Sequence, residues 1–174
     1  MTHPNPQGER RGEAGVALVE FALILPILML LLLGMLDFGR AFNYWLDQTH
    51  VANEGSRWAI VNHNPSTVPS QTLQKYLQCT ADTKELRNGG TNSVPFPMTV
   101  TIAFLGAQQV GEPVKVTAST TFNLIPFIGK AAGNLTGLNL AASSTMRLEQ
   151  PPSGTAFVYL PGAGGTGPGG TPCP

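Results

Sequence analysis

Few residues of this 174-residue chain are placed to do chemistry. Glu20 is the most unusual, being the one charge in the run VALVEFALILPILMLLLLGML from Val16 to Leu36. A carboxylate at the centre of a membrane span costs roughly 2.5–3.5 kcal/mol on insertion scales, so it needs a partner. Farther on, Asp47, His50 and Glu54 stand at i, i+3 and i+7, which sets three metal-ligand types on one helix face. No second His lies nearby and Glu54 has Arg57 at i+3, so the trio reads as a solvated or subunit-facing polar stripe, with no metal assigned. Cys79 and Cys173 make no CxxC pair. In an exported chain they either close one disulfide that ties the tail back to the domain, or remain thiols, or bond elsewhere. There is no GxSxG, no HExxH and no paired His/Cys cluster. Gly129-Lys130 is a superficial echo of a phosphate loop, since Leu124 stands where that loop needs Gly and Ala131 where it needs Ser or Thr. Asn134-Leu135-Thr136 is a short glycosylation sequon that arises often by chance, and His63 has no catalytic neighbours in sequence. These residues support no catalysis and imply no cofactor.

The elements that position them begin with a membrane-length helix. Val16 to Leu36 is 21 residues, roughly 32 Å at about 1.5 Å per residue, enough to cross the hydrocarbon core. A chain this short cannot bury such a helix in its own core. A cleavable secretory signal fits poorly, because Asp37-Phe38-Gly39-Arg40 follows the run with no A-x-A-like site. Arg10 and Arg11 precede the span and only Arg40 follows it closely, which favours a cytoplasmic N-terminus. The net charge is zero, from 10 basic and 10 acidic side chains, which argues against a nucleic-acid surface.

Past the span the helical pattern continues through residue 62, since Gly39 and Gly55 each cost only about 1 kcal/mol. Phe38, Phe42, Trp45, Thr49, Ala52, Ser56 and Ala59 fall on one stripe, with Asn43, Asp47, His50, Glu54 and Arg57 opposite. The small residues at 52, 56 and 59 suit a sheet packed close to the helix backbone. A Pro- and Asn-rich loop follows, then a short helix over Gln71 to Gln78 with Leu73, Tyr76 and Leu77 inward. Residues 80–97 read as a loop, with a turn at Asn88-Gly89-Gly90. Three segments then alternate with period two: Met98 to Phe104, Val114 to Leu124 and Leu138 to Leu148. The fold class expected is α+β, a long N-terminal transmembrane and amphipathic helix packed on a small antiparallel sheet. The apolar link Leu124 to Gly129 either folds over the end of the core or offers a contact surface. Phe157 to Leu160 suggests a further short strand, and residues 151–174 a flexible Gly/Pro-rich tail.

Gly15, Val16 and Glu20, with Arg10 and Arg11 upstream, resemble type IV prepilins, whose short basic leader ends in Gly before an apolar helix with Glu at the fifth mature position. In more detail, residues 15–60 are similar to the TadE-like family of small pseudopilins. The matching elements are Glu20-Phe21-Ala22-Leu23, Pro26, Asp37-Phe38-Gly39-Arg40 and Ala52-Asn53-Glu54-Gly55-Ser56-Arg57. A looser likeness returns in Ser144-Thr145-Met146-Arg147-Leu148-Glu149. The resemblance implies that a prepilin peptidase cuts between Gly15 and Val16. Glu20 would then lie one helical turn from the new α-ammonium of Val16, or pair with that of a neighbouring subunit, and with Phe21 set the register of assembly.

The same resemblance implies a pilin-like fold and a minor structural subunit of Tad or Flp-type pilus assembly, linked to adhesion or secretion. Its implied partners are membrane lipid, other pilin-like subunits, the peptidase and the Tad assembly machinery, with no nucleic acid. The implied place is the cytoplasmic membrane, single-pass, with the C-terminal domain outside or carried into an extracellular pilus. The organisation expected is a leader over 1–15, a transmembrane helix over 16–36, an amphipathic continuation over 37–62, an extracytoplasmic α+β region over 63–150 and a tail over 151–174. Glu9 and Glu13 offset Arg10 and Arg11, a thin leader by the family's standard. The alternative is a permanently anchored extracytoplasmic binding module that keeps its leader and does not assemble.

Overall fold

One helix organises the molecule. The structure is a computed structural model that describes residues 7–68, 71–131, 133, 137–151 and 173. Helix α1 runs Gln7–Ile60, 54 residues, about 80 Å long at about 1.5 Å per residue. It passes through Pro26 without a break in helical assignment. It also begins eight residues before Gly15, so the polar leader segment is helical from Gln7 and no change of backbone marks position 15.

Beyond α1 come α2 (Leu73–Thr80), α3 (Lys84–Asn88), β1 (Thr99–Phe104), β2 (Pro113–Phe122), α4 (Pro126–Ala131) and β3 (Leu138–Arg147). The strands form one antiparallel sheet in the order β1-β2-β3. Its register sets Val100 opposite Ala118 and Val116 opposite Ser144. Alternation decides which side is inside: Val114, Val116, Ala118, Thr120 and Phe122 of β2 are buried, while the residues between them are more exposed. The outer half of α1 covers that face against β2 and β3, and α2 packs on β1. This is the α+β arrangement that the alternating pattern predicts. Residues 157–160, the sequon at 134–136 and the tail apart from Pro151 and Cys173 lie outside the described residues.

The packing face of α1 is rotated from the expected stripe. Tyr44, Gln48, Val51, Ala52, Gly55, Ser56 and Ala59 are buried, whereas Phe38 is 73% exposed and Trp45 42% exposed. The aromatics instead stack on one another along the outer face, Phe38 with Phe42 at 6.3 Å and Phe42 with Trp45 at 5.9 Å between ring centroids. Close approach explains the choice. A Cβ at Gly55 would lie 2.7 Å from Leu77 Cδ1 and 3.0 Å from Val116 Cγ1, so only glycine lets α1, α2 and β2 meet there. Ser56 completes the seam, its hydroxyl 3.0 Å from that of Ser144.

The segment 80–97, expected as a plain loop, contains α3 and three core contributors nearby: Leu86, Val94 and Met98 are fully buried. Gly89 ends α3 with φ +64, and a Cβ there would stand 2.7 Å from Phe96 C and Pro97 N. The turn read at Asn88-Gly89-Gly90 is thus a helix stop. The apolar link after β2 likewise winds into α4 rather than remaining a loop.

Candidate functional site

The stem of α1 presents an apolar surface with none of the other described elements folded against it. The most apolar 18-residue window has a mean hydropathy of 2.8 and none of it is buried. Among the described residues α1 is the one helix long and apolar enough to cross a membrane. Gly15, Val16, Glu20 and Phe21 all lie on this exposed helix. Val16 and Glu20 are one turn apart on the same face, the relation their i, i+4 spacing dictates.

Where the stem meets the domain, a buried collar fixes α1 to its surroundings through carboxylates. Asp37, only 1% exposed, accepts a 2.7 Å hydrogen bond on Oδ2 from the backbone N–H of Ile125. Its Oδ1 is buried without a hydrogen-bond partner among the described residues. Asp37 therefore docks the start of α4 onto the first residue past the apolar run. Nearly three turns on, Asp47 accepts from the N–H of Asp82 at 3.0 Å, the N–H of Thr83 at 2.8 Å and the hydroxyl of Thr83 at 2.6 Å. That carboxylate satisfies the open N–H groups just ahead of α3, the work an N-cap does, here supplied from another helix. Asp47 is thus buried and engaged, not part of a solvated stripe with His50 and Glu54.

The other two members of that trio stay outside. His50 is exposed, and Glu54 accepts from the indole N–H of Trp58 at 3.3 Å rather than facing Asp47. Among the described residues no group of three His, Cys, Asp or Glu could hold a metal ion. Cys79 at the end of α2 is disulfide-bonded to Cys173, with Cα atoms 5.3 Å apart across 94 residues of sequence. The backbone N–H of Cys173 also donates to Asn88 Oδ1 at 2.8 Å. Gln48 was missed by sequence reasoning: it is fully buried, and neither amide atom has a partner among the described residues.

Two surface grooves flank α1. One, of about 560 Å³, is lined by His50, Asn53, Glu54, Arg57 and Trp58 with Met146 of β3. The other, of about 500 Å³, lies at the membrane end, between Met35, Leu36, Gly39, Arg40, Asn43 and Tyr44 of α1 and Thr83 and Glu85. Burial raises the Tyr44 hydroxyl above its ordinary pKa, the Glu85 carboxylate adds to the rise, and the Arg40 guanidinium opposes it.

The fold and the stem define a class: an α+β protein whose N-terminal helix, long and apolar enough to cross a membrane once, continues into the core of its own domain. Residues 15–57, the stem and the collar together, are similar to the family model described as TadE-like protein. Neither a curated protein nor a solved structure matches the chain. The match begins at Gly15 and ends at Arg57, so it covers Glu20, Asp37, Asp47 and Gly55 and leaves the sheet outside.

Proposed function

We propose that this chain is a minor pilin-like structural subunit of Tad or Flp-type pilus assembly, with a leader removed between Gly15 and Val16. The observation that carries the reading is the uncovered stem with its single carboxylate, lying within the TadE-like stretch. A bilayer covers such a surface before assembly, and the stems of neighbouring subunits cover it afterwards. In the bilayer Glu20 is costly unless paired. Cleavage creates its partner, the ammonium of Val16, and in an assembly the ammonium of a neighbour fixes how far one stem slides along the next. Phe21 packs beside that contact. The exposed aromatics Phe38, Phe42 and Trp45 then extend the lateral surface above the membrane. Adhesion or secretion is the service such a pilus provides. The domain stands outside the cytoplasmic membrane, with prepilin peptidase and the Tad machinery as partners.

The test is the intact mass and N-terminal sequence of the protein from cells that carry a Tad prepilin peptidase. A chain beginning at Val16 is expected; one that retains residues 1–15 counts against the reading. Glu20→Leu should leave insertion intact, or improve it, while abolishing incorporation into pili, read by immunoblot of sheared filaments. The alternative of an anchored binding module draws on the groove between α1 and Met146 and expects Glu20→Leu to change nothing.

A further inference from the structure

The groove at the membrane end of α1 combines features seldom brought together on one side of a helix. Its lower wall is apolar, Met35 and Leu36, the last residues of the apolar run. Its upper wall is polar and carries one charge of each sign, Arg40 from α1 and Glu85 from α3, with Asn43, Tyr44 and Thr83 between them. Gly39 lies on its surface, and a Cβ there would meet no atom within 4 Å, so the space over it is open. The clasp of Asp47 on Asp82 and Thr83 holds the α3 wall in place.

Height along the helix identifies what reaches this space. Arg40 stands four residues past Leu36, about 6 Å farther along the axis. The polar layer adds roughly 5–7 Å to each side of the hydrocarbon core. Arg40 is therefore within the headgroup layer, and Asn43 and Tyr44, about 10–12 Å past Leu36, stand on its aqueous side.

Resting on the membrane reading of the stem, we propose that this groove holds the headgroup of one zwitterionic aminophospholipid. Its phosphate meets the Arg40 guanidinium, its ammonium meets the Glu85 carboxylate, and its acyl chains run down along Met35 and Leu36. Charge order selects the occupant. Glu85 disfavours an anionic headgroup, and a quaternary choline cannot donate hydrogen bonds to it, whereas a primary ammonium can. Arg40 anchors the phosphate, for which a guanidinium is the suited donor.

The experiment reconstitutes the full chain into vesicles of equal parts phosphatidylethanolamine, phosphatidylglycerol and phosphatidylcholine. The protein is then released gently and its retained lipids identified by native mass spectrometry. The ratio of phosphatidylethanolamine to either of the other two lipids should rise roughly fivefold over that of the bulk, the upper end of what one exposed charge pair contributes. Gly39→Leu, whose Cβ enters open space over the groove, and Glu85→Gln should each return the ratio to that of the bulk. Retained lipid that mirrors the bulk, a preference for phosphatidylglycerol, or an enrichment that survives Gly39→Leu overturns the lipid site. A chain that fails to float with the vesicles overturns the membrane reading itself, and the lipid site with it.

Discussion

Asp47 does at one residue what a capping motif does with several. Its two oxygens take three hydrogen bonds from Asp82 and Thr83, so Asp47→Ala strands two N–H groups just ahead of α3. A loss of about 2–3 kcal/mol is expected, measured by urea unfolding of the detergent-solubilised chain with far-UV circular dichroism. Asp47→Asn keeps an acceptor and should fall between. Gln48 gives the opposite sign. Its amide is fully buried with no partner among the described residues, so Gln48→Met keeps the volume and removes the desolvation cost. A gain of about 1 kcal/mol in the same assay is expected. Neither role was legible in the sequence. Periodicity sorts helix residues by hydropathy, and a buried carboxylate satisfied by a distant loop leaves no mark within its own helix.

At the scale of elements, what was legible followed from strict alternation. Each strand writes its inward face in every second residue, and the observed strands lie within the segments that pattern predicts, apart from Pro113 at the start of β2. The helix face was read less well. Phe38, Phe42 and Trp45 are bulky and apolar, so hydropathy assigned them to the sheet, yet the seam selects small residues that let backbones approach. α3 escaped because five residues carrying one buried leucine hold no period. The seam argument has a test: Gly55→Val places two methyl groups where Leu77 and Val116 already stand. Overpacking should cost about 1–3 kcal/mol, seen as a lowered midpoint in thermal unfolding. Gly55→Ala should cost less, since Leu77 Cδ1 is the free end of a side chain and can turn away.

For the whole molecule, the covalent bond between Cys79 and Cys173 closes a ring across 94 residues that holds α3, α4 and the entire sheet. Cys79→Ser with Cys173→Ser should lower stability by about 2–5 kcal/mol, and a reductant should reproduce the loss in the unaltered chain and leave the double variant unmoved. The ring also decides how the molecule bears tension. A pull between the stem and Cys173 travels up α1, along α2 and across the sulfur bridge. The strands lie off that covalent path, packed on α1 at its side, so tension along it does not have to pass through the pairing of one strand with the next.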